Sequence, residues 1–505
     1  MAQQPNILFI MADQMAAPML SMYGGVAKTP HLQKLADQGV VFDSAYCNSP
    51  LCAPSRYVLM TGMLPHRIGA YDNAADFPAD IPTFAHYLRK GGYKTALSGK
   101  MHFCGPDQLH GFEERLTTDI YPADYGWFPN WEKFDDRPTW YHNMSSVTQA
   151  GPTLRTNQLD FDDEVVFNAE RYLYDYLRES DERPFMLTVS MTHPHDPYAI
   201  TSEYWDRYSD DEIPMPSHEC PFKELDPHSQ RLHHVYQMDR SAITDQQIRN
   251  ARHAYMGAIS YVDDQIGRLM KILKESGLDQ NTIVVFSGDH GDMLGEHGLW
   301  YKMSYREWSA RVPMIISAPG QFAAGRVTNS VSTMDLLPTF CDFAKLTPDF
   351  AMPLDGRSLI SHLTPSSTPK GHDEVIGEYM GEGVIAPMFM IRRGDYKYIH
   401  CPGDPDQLFN VTQDPNELMN LATDETHVAM LTAFQEETQK RWDIDQITQD
   451  VIVSQRRRRL VNEAHQQGIT PHWDHQPMRD AHEQYMRNHI DLDDLEAKAR
   501  FPRVR

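Results

Sequence analysis

Cysteine is scarce in this chain, with six in 505 residues: Cys47, Cys52, Cys104, Cys220, Cys341 and Cys401. None belongs to a Cys-x-x-Cys pair, which argues against a zinc ribbon and against a disulfide scaffold. Long apolar runs are missing as well. Nothing approaches the roughly 18 residues of a membrane span. The opening Met1-Ala2-Gln3-Gln4-Pro5 has no charged lead, and the apolar run after it is too short for a secretory signal. The expected compartment is therefore the cytoplasm, with reduced thiols. Positive charge is in deficit: Lys and Arg total 46 against 70 Asp and Glu, a formal charge of −24. Such a chain is a poor binder of nucleic-acid backbones. Its field repels anions at long range, so any anion it binds must be captured by a local positive site. Internal repeats are absent too.

What is present is a globular composition, 41% hydrophobic and 23% charged. Ile7–Met11, Thr95–Ser98, Phe185–Met191, Thr282–Ser287 and Val312–Ser317 read as buried strands. Pro82–Lys90, Asp163–Arg178 and Ala254–Lys274 read as helices, the last with Gly277 at its carboxyl cap. This alternation predicts an α/β fold, a large mostly parallel sheet sandwiched by helices. Ligands of such sheets bind beyond the carboxyl ends of the strands. Asp13, Lys100, His102, His195, Asp289 and His290 all follow predicted strands, so they should converge. Beyond residue 365 the character changes. Ser366–Lys370 reads as a linker, and Met388–Arg392 and Tyr396–His400 as antiparallel strands around Gly394-Asp395. The expected division is a catalytic domain over 1–370, a smaller α+β subdomain over 371–445 and a polar extension over 446–505 containing Arg456–Arg459.

The most informative segment is Leu51-Cys52-Ala53-Pro54-Ser55-Arg56. Pro54 and Ser55 suit the first turn of a helix. The amino end of a helix is an anion seat, with Cys52 at it and Arg56 one turn on as a second anchor. A lone cysteine before a helix is more often a buried structural thiol, so the surroundings must decide. Cys-x-Pro-Ser-Arg resembles the signature of the sulfatase family, in which the cysteine is oxidised to formylglycine. Asn6–Asp13 resembles that family's opening metal-binding strand. Gly99-Lys100-Met101-His102, Ser287–Gly291 and Gln407–Leu421 resemble further family elements in the right order. The fold implied is that of the alkaline phosphatase-like superfamily.

The resemblance implies a divalent metal held by Asp13, Gln14, Cys52, Asp289 and His290, with Ca²⁺ the expected ion and Mn²⁺ or Mg²⁺ the alternatives. Many members carry Asp-Asp where this chain has Asp13-Gln14. Gln14 with His290 also resembles the phosphonate monoester hydrolases. Asp292 reads as a loop cap. The implied chemistry is attack on sulfur by one hydroxyl of hydrated formylglycine 52, then expulsion of sulfate through the second. Lys100, Lys302 and Arg56 would neutralise the sulfuryl oxygens. His195, with His102, would protonate the leaving alcohol; His193 is the weaker alternative.

Within the family the chain is most similar to the choline-sulfatase branch, through Tyr71–Phe77, Gly99–Trp127, Trp140–Asn143, Thr192–Tyr198 and Gly377–Glu382. A quaternary ammonium has no N–H and needs aromatic faces and a carboxylate. The resemblance assigns Trp127 to the face, Glu378 to the charge with Glu382 as its alternative, and His142 and Asn143 to the wall. It implies choline-O-sulfate as substrate, a formylglycine-generating enzyme as maturation partner, and a homodimer or homotetramer formed through the 446–505 arm. The competing readings are a phosphonate monoester hydrolase, phosphodiesterase or aryl sulfatase on the same scaffold, or a silent binding protein with Cys52 unmodified.

Overall fold

The computed structural model describes residues 4–502 except 122, 135–136, 139–140, 180, 241, 319, 364–370, 471, 480 and 482–490. The 366–370 linker lies outside the described residues. Eight strands form the main sheet: β1 (Asn6–Asp13), β2 (Val40–Tyr46), β3 (Lys94–Gly99), β4 (Glu114–Arg115), β5 (Phe185–Pro194), β6 (Thr282–Gly288), β7 (Met314–Ser317) and β8 (Gly325–Ser332). Their order is β8-β2-β7-β6-β1-β5-β3-β4. The central strands β1, β3, β5 and β6 are buried along their whole length, as continuous apolar runs covered on both faces should be. Every pairing is parallel except those of β7, which runs against both β2 and β6. An apolar run such as Val312–Ser317 carries no directional information. The chain leaves β6, makes a 289–313 excursion over the carboxyl edge and returns beside it, so no crossover helix is needed.

Register places the ends of the strands. Ala12 lies opposite Gly288, Asp13 opposite Pro194, and Gly99 opposite Ser190. The residues that follow, Asp289, His195 and Lys100, therefore emerge side by side, which is the convergence expected at a parallel-sheet edge. Gly99 makes this possible: its φ is +112°, and a Cβ there would lie 2.0 Å from the Ser190 carbonyl oxygen.

Three helices frame the site: α1 (Cys52–Thr61), α2 (Asn157–Arg178) and α3 (Asp245–Ser276). All ten residues of α1 are buried. A Thr244–Gln247 capping box opens α3, and Gly277, at φ 74°, closes it. The smaller unit is an antiparallel sheet of β9 (Glu374–Tyr379), β10 (Met388–Arg393), β11 (Tyr396–His400) and β12 (Gln407–Asn410). Buried Lys397 of β11 locks it to the main domain, donating to the Tyr305 carbonyl at 2.6 Å and to Glu307 at 2.8 Å.

The polar extension opens differently from a loose arm. Ile444–His465 forms a 22-residue helix, α4, packed on its own chain. Its buried face includes Ser454, Gln455 and Arg458, so apolar periodicity could not reveal it. Among the described residues, all six cysteines are unpaired, and no helix is long and apolar enough to cross a membrane.

Candidate active site

Beyond the carboxyl ends of β1 and β6, four buried side chains point their ligand atoms into one space. Asp13, Cys52, Asp289 and His290 have donor atoms all within 4.8 Å of one another. His290 Nε2 lies 3.1 Å from Cys52 Sγ and 3.7 Å from an oxygen of each carboxylate. Its Nδ1 sits 3.0 Å from the Gly291 carbonyl. That contact directs the Nδ1–H outward and turns Nε2 inward, the arrangement of a metal-ligating imidazole. Burial opposes charge on His290, but Asp289 and Cys52 outweigh it and raise its pKa, so the space favours a positive charge. Two hard oxygens, an imidazole nitrogen and position 52 around such a space fit a divalent cation.

Position 52 is special among the cysteines. Burial pushes Cys47 and Cys104 well up and lifts Cys341 and Cys401 to about 12. At Cys52 burial acts the same way, yet Lys100, Lys302 and His290 override it and hold the thiol well below its ordinary value. The residue is also the first of α1, where the dipole favours an anion. Asn73 caps that end, its Oδ1 accepting from Ala53 N–H at 3.0 Å.

Arg56 differs from its expected role. It is fully buried and turned toward the ligands rather than outward. Its Nε donates to Asp289 at 2.9 Å, one terminal nitrogen to Asp13 at 3.2 Å, and the other to the Lys100 carbonyl at 2.6 Å and to Ser190 at 2.8 Å. Four of the five guanidinium N–H groups are thus engaged, two of them bracing the carboxylates of Asp13 and Asp289. Gln14 also differs. Its side-chain oxygen accepts from Lys302 Nζ at 2.6 Å and its amide nitrogen donates to Asp292 at 2.6 Å, while its backbone N–H donates to Asp289 at 2.9 Å.

The remaining cations line one wall. Lys100 Nζ contacts Asp13 and stands 4.4 Å over the Tyr121 ring. Burial works to raise the Asp13 pKa, but Lys100, His195 and Arg56 hold it below the usual carboxylate range. Lys302 Nζ lies 3.0 Å from His195 Nε2, and His195 Nδ1 lies 2.7 Å from the Asp196 carbonyl. His193 is turned away, with Nδ1 2.7 Å from Asp162, which leaves His195 as the site histidine. The ring of buried His102 stands close enough to Cys52 to help hold its pKa down, and no other described residue engages either of its nitrogens. Backbone strain gathers here: Gln14, His102, Tyr301 and Met303 all have φ between 60° and 70°.

The opposite wall is aromatic. Half-buried Trp127 meets His102 edge-on at 6.1 Å and Tyr121 at 6.2 Å. His142 stacks on Tyr301 at 4.6 Å and points Nδ1 at Asp196, 3.5 Å away. Asn143 is exposed, and its side-chain oxygen caps Ser145 N–H at 2.8 Å rather than lining a wall. Glu378 does not supply a free charge. It is buried against the His66 backbone N–H (2.9 Å), the His66 ring (2.6 Å) and the Trp442 indole N–H (2.6 Å). Glu382 is the carboxylate that faces the tyrosines. Tyr379 OH bonds its carbonyl at 2.9 Å and its carboxylate at 3.3 Å, and its charge is felt at Tyr141, Tyr236 and Lys302. Burial lifts its pKa to about 7. Sequence reasoning missed Tyr121 and Asp196, although both lie inside runs it had singled out.

Comparison with known proteins agrees with this geometry. The Sulfatase family model matches residues 5–346 and the model "Choline sulfatase enzyme C terminal" matches 449–501. The choline-sulfatase of Rhizobium meliloti is 46% identical over 99% of both chains. The N-acetylglucosamine-6-O-sulfatase of Bacteroides thetaiotaomicron is 28% identical, covering 91% of this chain and 90% of its own. The crystal structure of the phosphonate monoester hydrolase of Agrobacterium radiobacter superposes with a TM-score of 0.69 at 23% identity, over 86% of this chain and 95% of its own, a likeness of fold.

Proposed function

This chain belongs to the sulfatase family, and from that premise we propose that it hydrolyses choline-O-sulfate to choline and inorganic sulfate. One observation carries the reading: Lys302, which with Lys100 holds the Cys52 thiol down, also acts electrostatically on the buried carboxylate Glu382, while Trp127 stands edge-on to His102 at 6.1 Å. A sulfate ester of a quaternary ammonium alcohol is anionic at one end and cationic at the other. It asks for lysines at one end and for aromatic faces with a carboxylate at the other. An aryl sulfate or phosphonate ester, whose leaving group carries no positive charge, has no use for Glu382.

Asp13, Asp289, His290 and position 52, with Gln14 beside them, are the residues to hold a divalent ion, Ca²⁺ or else Mn²⁺ or Mg²⁺. Such an ion, when bound, lowers the pKa of the attacking hydroxyl and offsets charge on the sulfuryl oxygens. Formylglycine at position 52, made by a formylglycine-generating enzyme, supplies as its hydrate both that hydroxyl and a second one for releasing sulfate.

The other steps belong to the chain. Arg56 fixes the spacing of Asp13 and Asp289. Lys100 and Lys302 meet the sulfuryl oxygens, and His102, whose side chain already acts on position 52, can bond them or the bridging oxygen. An aliphatic alkoxide leaves poorly, so a proton must be delivered to it. We assign this to His195 together with Lys302: the ammonium donates to Nε2, so the proton that reaches the alkoxide comes from Lys302 and passes through that nitrogen, with Asp196 and His142 behind the ring. Glu382 and Trp127 hold the ammonium. A homodimer or homotetramer through the 446–505 arm is supported by the large apolar groups that arm leaves exposed, among them Leu460, Ile469 and Met478. Unpaired cysteines throughout the described residues fit a reducing, cytoplasmic setting.

The test is sulfate release from choline-O-sulfate by the purified protein, with Cys52→Ala as control and peptide mass for the state of residue 52. Turnover lost in the variant supports the reading. No turnover by protein whose mass shows formylglycine overturns it in favour of aryl sulfates or phosphonate esters.

A further inference from the structure

The Arg456–Arg459 run has no part in the chemistry above, and it is not a solvated stripe. Arg458 is buried. Its guanidinium forms a two-pronged pair with Asp72, at 2.5 and 2.8 Å, and Asp72 is itself only 1% exposed. The same guanidinium lies 4.8 Å over the Phe128 ring. Neighbouring residues of α4 grip the segment that follows. Gln455 accepts from Trp131 N–H at 3.0 Å, Arg456 forms a two-pronged pair with Glu132, and Arg459 donates to Asn130 at 2.8 Å. Positions 455, 456, 458 and 459 share one side of a helix, and together they hold residues 128–132, immediately after Trp127. At the other end of the pair, Asp72 precedes Asn73, the cap of α1 beside Cys52. The field of Asp72 also reaches Glu382.

We infer that α4 braces the cation pocket of its own subunit, and that Arg458, through Asp72 and Phe128, is a positioning residue for recognition of a cationic leaving group. The physical argument has two parts. An attraction between an ammonium and an aromatic face depends on where the ring is held, and α4 holds the chain next to Trp127. A buried carboxylate without its partner is costly, so loss of Arg458 leaves Asp72, whose field reaches Glu382, unpaired, and removes the contact that holds Phe128 next to Trp127. The inference rests on the choline-O-sulfate reading.

The test compares choline-O-sulfate with the neutral-tailed 4-nitrophenyl sulfate on the metal-loaded, formylglycine-bearing protein. In Arg458→Gln the KM for choline-O-sulfate should rise by about tenfold or more, the size of one lost cation–aromatic contact. kcat/KM for 4-nitrophenyl sulfate should change by less than about threefold. Arg458→Lys should fall between the two. The double variant Asp72→Asn/Arg458→Gln, which removes the unpaired charge, should recover part of the choline preference and keeps the test open if the single variant fails to fold. Equal loss on both substrates, or no recovery in the double variant, overturns the inference. Wild-type protein with no preference for choline-O-sulfate overturns the reading it rests on, and the inference with it. That result is read without any variant.

Discussion

Lys302 Nζ stands 3.0 Å from Nε2 of His195 and 2.6 Å from the side-chain oxygen of Gln14. One ammonium therefore touches both the histidine proposed to deliver the proton and the residue that follows Asp13. Burial opposes the charge on Lys302, but Cys52, Asp196 and Asp13 raise its pKa, so it stays cationic. Replacing Lys302 by Ala should lower kcat by about 10²–10³-fold, as for other buried groups that stabilise developing negative charge. His195→Ala should discriminate by leaving group. The loss should be large on choline-O-sulfate, whose aliphatic alkoxide needs the proton, and at least tenfold smaller on 4-nitrophenyl sulfate. Equal losses on the two substrates would remove His195 from proton delivery.

Arg56 predicts a different phenotype. Its donors go to Asp13, Asp289, Ser190 and a backbone carbonyl, so its removal leaves two buried carboxylates without their brace. Arg56→Ala should cost about 3–5 kcal/mol of stability and weaken metal retention. Calorimetry with and without added Ca²⁺ measures both. A variant that keeps wild-type Tm and metal content but loses activity would mean that Arg56 acts on substrate directly.

How much of this was legible in the sequence follows from where the apolar residues lie. The central strands are unbroken hydrophobic runs, and a parallel sheet gathers whatever follows them, so Asp13, Lys100, His102, His195 and Asp289 could be grouped without coordinates. Strands β2 and β8, at one side of the sheet, were not legible, because Asp43, Ser44 and Thr328–Ser330 interrupt them. The α4 helix was hidden because the face it buries includes Gln455 and Arg458. The choice between Glu378 and Glu382 turned on side-chain direction. Glu378 sits within β9 and its carboxylate is taken by His66 and Trp442, whereas Glu382 lies past the strand end among tyrosines. Motif spacing carries no such information.

That difference makes Glu378 a structural position. Its oxygens receive three donors, and a glutamine can offer only one acceptor oxygen to them. Glu378→Gln should lose about 1–3 kcal/mol from unsatisfied buried donors, seen as a lower Tm, while KM for choline-O-sulfate changes by less than about twofold. A tenfold rise in KM with unchanged Tm would return the ammonium-binding role to Glu378.

Glu382 should show the opposite pattern, and its sign with pH can be worked out. Burial raises its pKa from 4.5 to about 7 in the folded protein. The fold therefore favours the protonated form. The stability this group contributes is present below about pH 4.5 and is lost as pH rises to about 7, a difference of about 3 kcal/mol. Glu382→Gln removes the charge and keeps the shape. It should therefore raise Tm at pH 8 and leave it nearly unchanged at pH 4.5. Substrate binding runs the other way, because an ammonium is held by the ionised carboxylate. Wild-type kcat/KM for choline-O-sulfate should fall as pH drops through about 7, approaching tenfold per pH unit. That limb should be absent in Glu382→Gln, and absent for 4-nitrophenyl sulfate with either protein. Persistence of the same acid limb in Glu382→Gln would assign it to another group and leave Glu382 as a buried residue without a part in recognition.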